Sequence, residues 1–291
     1  MIVDYMELWL IFALSSALIG GMSSLMQRYI LRSHDFVSYA FLFQILSGLF
    51  FIPLMLFDFK VPTDIFGIEI VLLGIVVWTI TSLCIYKSVQ MLEISIGSPV
   101  GSVKILFLLL LSYFLLSESL TTSKIIGTLS IFLGMFILTY RKGASFSRLR
   151  DKGVQLTIFS AFMLALASIV DKTALRYWSV PTYSFFVFFF VGIAIGTLMK
   201  KRFDKLIYLV RKSGSVVVLA SILVVAVYYL ELQAYKLTDV SNVYPIARFS
   251  LFFTVFGGII FLKERKDILQ KILGVIPMFL GILFISGYLA I

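Results

Sequence analysis

The chain is laid out as long apolar runs separated by short polar breaks, without the alternation of apolar and polar positions that a half-buried strand would show. The runs cover residues 7–27, 36–57, 67–90, 95–117, 123–140, 154–174, 181–199, 214–236, 241–262 and 269–288. A helix needs about 20 apolar residues to cross roughly 30 Å of hydrocarbon, and in such long runs only a helix satisfies its own backbone there. The pattern predicts an all-α integral membrane protein with ten transmembrane helices. The first run follows Asp4 and Glu7 rather than a basic stretch, and no small-residue cleavage site stands out after it. It is expected to remain as the first span.

The break from Arg141 to Lys152, RKGASFSRLRDK, is polar and basic, and it divides the runs into two groups of five. The groups resemble each other. An offset of 144 pairs Ser16 with Ser160, Ser24 with Ser168, Arg32 with Arg176, Tyr39 with Tyr183 and Gly48 with Gly192. An offset of 146 pairs Ser95 with Ser241, Pro99 with Pro245 and Glu118 with Glu264, and one further residue of slip pairs Gly127 with Gly274 and Gly134 with Gly281. Chance likeness between apolar helices runs through Leu and Phe, whereas these matches include Pro, Glu, Arg and Gly in order. The expected organisation is therefore a first repeat over 1–141, a basic linker over 142–152 and a second repeat over 153–291. An odd number of spans per repeat forces the second to enter the membrane inverted, a layout in which secondary transporters place the substrate between the copies.

Composition sharpens this picture. Hydrophobic residues make up 60% of the 291, well above the roughly 45–50% of soluble domains. A formal net charge of +10 would suggest nucleic acid for a soluble protein, but in a membrane protein Lys and Arg collect in cytoplasmic loops. Arg28, Arg32, Lys87, the linker cations, Lys200–Lys201–Arg202, Lys205, Arg211, Lys212, Lys263, Arg265, Lys266 and Lys271 fall on one side. Only Lys60, Lys124, Lys172, Arg176 and Lys236 fall on the other. The bias predicts a cytoplasmic linker and external termini, in the cell membrane. The single cysteine, Cys84, permits no intrachain disulfide and no thiolate cluster, and the lone His34 reads as a solvated loop residue.

The segments SPVGSVKILFLLLLSYFLLSESLT and YPIARFSLFFTVFGGIIFLKERKD, each followed by a helix containing FLG, resemble the drug/metabolite transporter superfamily, in particular its ten-helix members with duplicated EamA-type domains. In that family each repeat carries a Pro in the fourth helix, a Leu-(Gly or Lys)-Glu at its end and glycines in the fifth. Pro99, Glu118, Gly127 and Gly134 match in the first repeat, and Pro245, Glu264, Gly274 and Gly281 in the second. Ser117 before Glu118 departs from the pattern. The resemblance implies a carrier of a small metabolite and leaves the cargo open, because function lives in the site and not in the fold.

No nucleotide-binding P-loop, H-E-x-x-H or G-x-S-x-G signature occurs, so neither ATP hydrolysis nor these hydrolytic chemistries are expected, and no cofactor or metal is expected. The expected partners are a small-molecule solute and the lipid bilayer, not nucleic acid; a homodimer is compatible with the sequence. Two other classes stay open: a membrane-embedded lipid-linked transferase, for which Asp58 and Asp64 would hold metal and phosphate, and a scaffold or sensor subunit.

Candidate site residues are the polar and aromatic groups inside spans, since a charge there costs at least ~2.5 kcal/mol and faces a cavity or a partner. Lys104, Glu231 and Arg248 qualify, whereas Lys87, Arg28, Asp171 and Lys172 lie near span ends and are expected to snorkel. Glu231 and Arg248 stand at matching distances from the turn at Asp239 and Val240, which permits an ion pair; Glu231 is alternatively a coupling group. Lys104, reflected across the turn near Glu93 and Ile94, lands on Leu83 beside Ser82 and Cys84, and finds no acidic partner. It either snorkels, or is neutral through a lowered pKa, or serves as a cation for an anionic or zwitterionic cargo, with Arg248 as its counterpart in the second copy. Trp78 and Tyr228 either line an apolar cavity or fill the core, and Ser24 and Ser168 lie in small-residue stretches that either pack helices or touch cargo.

Overall fold

A computed structural model describes residues 2–92, 97, 100–139, 151–253 and 268–289. Pro99, Glu264 and most of the linker lie outside the described residues. The described residues form ten α-helices: α1 (Ile2–Leu31), α2 (Phe36–Phe57), α3 (Ile65–Met91), α4 (Lys104–Leu116), α5 (Thr122–Thr139), α6 (Lys152–Ala174), α7 (Val180–Gly196), α8 (Phe203–Leu237), α9 (Val240–Ala247) and α10 (Ile268–Ile285). Asp35, Asp64 and Asp151 start α2, α3 and α6 by accepting bonds from the backbone N–H groups of Ser38, Gly67 and Gly153. These caps satisfy donors that the first helical turn leaves free.

Six stretches are long and apolar enough to cross a membrane: Leu8–Leu31, Phe36–Phe57, Ile65–Met91, Lys152–Ala174, Val180–Met199 and Phe203–Leu237. Lys104–Leu116, Thr122–Leu138 and Ile272–Ile285 are shorter apolar helices. α8 extends beyond the expected 214–236 because an arm over 203–212 precedes it, set off by the non-helical backbone of Ser213 (φ −139°, ψ 16°).

The helices pack mainly across the two groups of five. The most extensive contacts are α5 on α10, α2 on α7, α1 on α8 and α3 on α6, followed by α2 on α8 and α4 on α6. Exchanging each helix for its partner in the other group turns α1·α8 into α6·α3, α2·α8 into α7·α3 and α4·α6 into α9·α1, all of which are present. Glycines set the closest approaches. A Cβ on Gly127 would stand 2.8 Å from the carbonyl oxygen of Gly281, and one on Gly134 would stand 2.4 Å from that of Gly274. α5 and α10 thus cross antiparallel with only backbone between them, as small residues permit where lipid gives no drive to bury apolar surface. Gly48 against Phe189 and Gly192 against Ile45 repeat the device between α2 and α7.

The fourth and ninth spans are not the continuous helices that 95–117 and 241–262 imply. The α-helical ladder is interrupted at Ser102–Val103 and again at Arg248–Phe249, although Val103 (φ −57°, ψ −21°) and Arg248 (φ −70°, ψ −8°) keep right-handed helical torsions. At the first break Val103, Ile105 and Leu106 donate to the carbonyls three residues back, Val100, Ser102 and Val103. At the second, Phe249, Leu251 and Phe252 donate to Ile246, Arg248 and Phe249. The two sets coincide at the offset of 146, so both helices tighten at the same place.

Candidate functional site

The charged groups within the spans gather at these breaks. Lys104 follows the first break directly and is only 3% exposed. Its Nζ donates to Ser168 Oγ of α6 at 3.1 Å and lies 3.5 Å from the centroid of the Tyr244 ring in α9. The guanidinium of Arg248, within the second break, lies 4.6 Å from the same ring. A buried cation over an aromatic face gains an attraction that water does not screen, of about 2 kcal/mol when desolvated. Arg248 also faces Glu231 of α8, Nη2 to Oε1 at 3.6 Å. The ion pair expected from the turn geometry is therefore present. Leu83 and Cys84 line a groove of about 350 Å³ together with Lys87 and Arg202, and Lys104 is not among its lining residues. Nor does Arg248 occupy the equivalent of Lys104, since the offset of 146 pairs Lys104 with Ser250 and Arg248 with Ser102.

One turn beyond Ser168 on α6 stands Asp171, 1% exposed. Its Oδ1 accepts from Trp78 Nε1 at 2.9 Å and from Tyr183 Oη at 2.7 Å. The expectation that Asp171 snorkels from a span end is thus corrected: the end of α6 is covered by α3 and α7, and the carboxylate turns inward onto two neutral donors. Trp78 packs edge-on against Tyr228 at 5.8 Å, and Tyr228 in turn meets Phe188 at 5.1 Å. Trp78, Tyr228, Ser168, Lys104, Arg248 and Glu231 are accordingly brought into one neighbourhood across α3, α4, α6, α8 and α9. Ser24 is not, and lies exposed on α1.

Four further expectations are corrected or explained. Lys172 does not snorkel, because its Nζ donates to the carbonyls of Tyr235 and Thr238 at the end of α8. His34 is 7% exposed rather than solvated, with its ring nitrogens against Ile30 O, Ser33 Oγ and, at 3.4 Å, Ser213 Oγ at the kink of α8. Glu118 closes the start of α9: Oε1 accepts from Val240 N at 2.8 Å, and Oε2 accepts from Ser241 N at 3.2 Å and from the Ser241 hydroxyl. Ser117 before it adopts a left-handed backbone (φ 57°, ψ 32°), which is why glycine suits that position. Asp64 is spent on its N-cap. Among the described residues, no group of three or more His, Cys, Asp or Glu side chains is arranged to hold a metal.

Six long apolar helices, packed across the two groups through close glycine crossings, define a class, that of α-helical integral membrane proteins. The family comparison narrows the class. The model of the EamA-like transporter family matches residues 7–140 and again 151–287, and the chain belongs to that family. A solved crystal structure superposes with a TM-score of 0.77 at 13% identity, covering 96% of each chain, a likeness of fold alone. No curated protein matches the chain.

Proposed function

We propose that the protein is a secondary carrier that moves a small anionic or zwitterionic metabolite, such as an amino acid, across the cell membrane by alternating access and without nucleotide hydrolysis. The observation that carries this reading is Lys104, a buried cation beside a helix break, held by a hydroxyl and a ring instead of a carboxylate. Such a charge is costly unless a ligand or a transported ion meets it for part of the cycle. Lys104 and Arg248 offer positive charge to a cargo carboxylate, while Trp78 and Tyr228 supply apolar faces for the rest of the solute.

The same reading holds that ten spans form two inverted repeats, 1–141 and 153–291, joined by a cytoplasmic linker. The antiparallel crossing of α5 and α10 supports it, because equivalent helices of the two repeats then run in opposite directions. The exchange relation among the helix contacts and the matched breaks support it as well. Two halves related in this way can trade conformations, which opens the site to one side and then the other.

Comparison of metabolites in deletion and overexpressing cells, followed by uptake of the enriched or depleted solute into sealed liposomes, tests the proposal. Saturable flux of an anionic or zwitterionic solute is expected. Absence of flux for every solute under every imposed gradient, with stoichiometric capture of a membrane partner, would establish a scaffold instead.

A further inference from the structure

Resting on the carrier reading, we infer that Asp171 binds the proton whose movement is coupled to the cargo, and that it does so in exchange with Lys104. Two carboxylates face the cluster. Glu231 has a cation at 3.6 Å and is charge-compensated where it stands. Asp171 is the more buried, and among the described residues no Lys or Arg nitrogen lies within ion-pair distance of it; the Trp78 indole and the Tyr183 hydroxyl that donate to it, and the Tyr228 hydroxyl that also faces it, are neutral. A bare carboxylate at such a place is poorly compensated, whereas a protonated one is not.

The geometry accommodates both forms. Trp78 and Tyr183 both bond Oδ1, so a proton can add to Oδ2 and leave it again with both bonds kept. Lys104 is the other half of the device. It is bonded to Ser168, three residues before Asp171 and on the same face of α6, so its ammonium and the carboxylate lie about one helical turn apart. With Asp171 ionised, Lys104 is drawn toward it, and a cargo anion must compete for the ammonium. With Asp171 protonated, Lys104 is uncompensated and a cargo carboxylate takes the place of the lost charge. Proton and anion then bind in mutual support, and by linkage each raises the affinity for the other. The result is cotransport of a proton with an anionic group.

The remaining groups around Asp171 leave this role to it. α3 contributes the neutral Trp78, α7 the neutral Tyr183, and α8 contributes Tyr228 and Tyr235 besides the paired Glu231. α9 contributes Tyr244 and Arg248, and Lys172 on α6 itself is committed to backbone carbonyls.

The test uses the full chain in lipid. Infrared difference spectra over a pH series should show a protonated-carboxyl C=O band that is lost in Asp171→Asn and kept in Glu231→Gln. The asparagine still offers Oδ1 to Trp78 and Tyr183, so folding is expected to persist, which monodispersity in detergent checks. In liposomes, the solute found by the metabolite comparison should accumulate in response to an imposed proton gradient with wild type. Asp171→Asn should lose that accumulation about ten-fold or more, and whatever exchange it retains at equal inside and outside pH should no longer vary with that pH. A titrating band unchanged in Asp171→Asn, or wild-type gradient-driven accumulation by that variant, overturns the inference and leaves the carrier reading intact. A wild type that moves no solute overturns both.

Discussion

The seam between α5 and α10 and the charged cluster around Lys104 obey opposite rules. At the seam the two halves contribute the same thing, since Gly127 meets Gly281 and Gly134 meets Gly274, and exchanging the halves reproduces the contact. At the cluster they contribute different things: Lys104 comes from the first half, while Arg248, Glu231 and Asp171 come from the second. Backbone architecture is duplicated and chemistry is not. Packing therefore belongs to the repeat, and the site must be read residue by residue at the place where the repeats differ.

The largest effect expected at the seam comes from filling it. Gly134→Leu would drive side-chain atoms into the backbone of α10, where even a Cβ stands 2.4 Å from Gly274 O, and should cost about 3 kcal/mol or more. Gly101→Ala, whose Cβ would meet only Thr157 at 3.8 Å, should stay within about 0.5 kcal/mol of wild type. Thermal unfolding in detergent distinguishes the two, and equal melting of both variants would break the comparison.

Between the regions stands Glu118, which ends the first fourth span and holds the start of α9. Glu118→Ala leaves two backbone N–H groups and a hydroxyl without their acceptor and should cost about 1–3 kcal/mol. Ser117→Gly should move stability the other way by about 1 kcal/mol, by relieving the left-handed backbone. Both are read by the same unfolding assay.

The smallest effect lies on the side of the arm of α8. Burial works to raise the carboxyl of Asp35, but the Ser38 N–H, Arg202 and Lys205 outweigh it and hold it below the usual carboxylate range. A depressed carboxylate contributes stability that is present above its unfolded value of about 3.9 and is lost as pH falls through the folded one. Asp35→Asn should lower stability near neutral pH by up to about 1 kcal/mol, flatten the acid limb, and converge on wild type at low pH, where the wild-type carboxyl is protonated too.

Much of the scaffold was legible in the sequence. α2 occupies Phe36–Phe57, as its apolar run indicates, and the expected start of the eighth span at 214 coincides with the kink at Ser213. Periodicity and repeats encode such features because they depend on the chain's own hydrophobic pattern. The helix breaks were not legible, since Lys104–Leu116 and Val240–Ala247 sit inside apolar runs that continue past them. Only their backbone hydrogen bonds reveal them. The Glu231–Arg248 pair could be reached from the turn that joins its helices, whereas the partners of Lys104 lie on α6 and α9 and depend on packing between halves. Asp171 was misplaced for a similar reason: its distance from the helix end was readable, but the cover supplied by Trp78 and Tyr183 was not. The signal that could have marked it is a carboxylate one turn from Ser168 on the small-residue face of α6.

The central claim is that the unduplicated cluster carries cargo, and Lys104 tests it most directly. Counterflow of the solute identified in cells should be measured in liposomes for wild type, Lys104→Arg and Lys104→Gln, alongside thermal unfolding. The glutamine variant is expected to melt no lower than wild type, as removal of a buried charge without a carboxylate in ion-pair contact allows, yet to lose counterflow, while arginine retains part of it. Wild-type counterflow by Lys104→Gln, or a cargo that proves purely cationic, would contradict it.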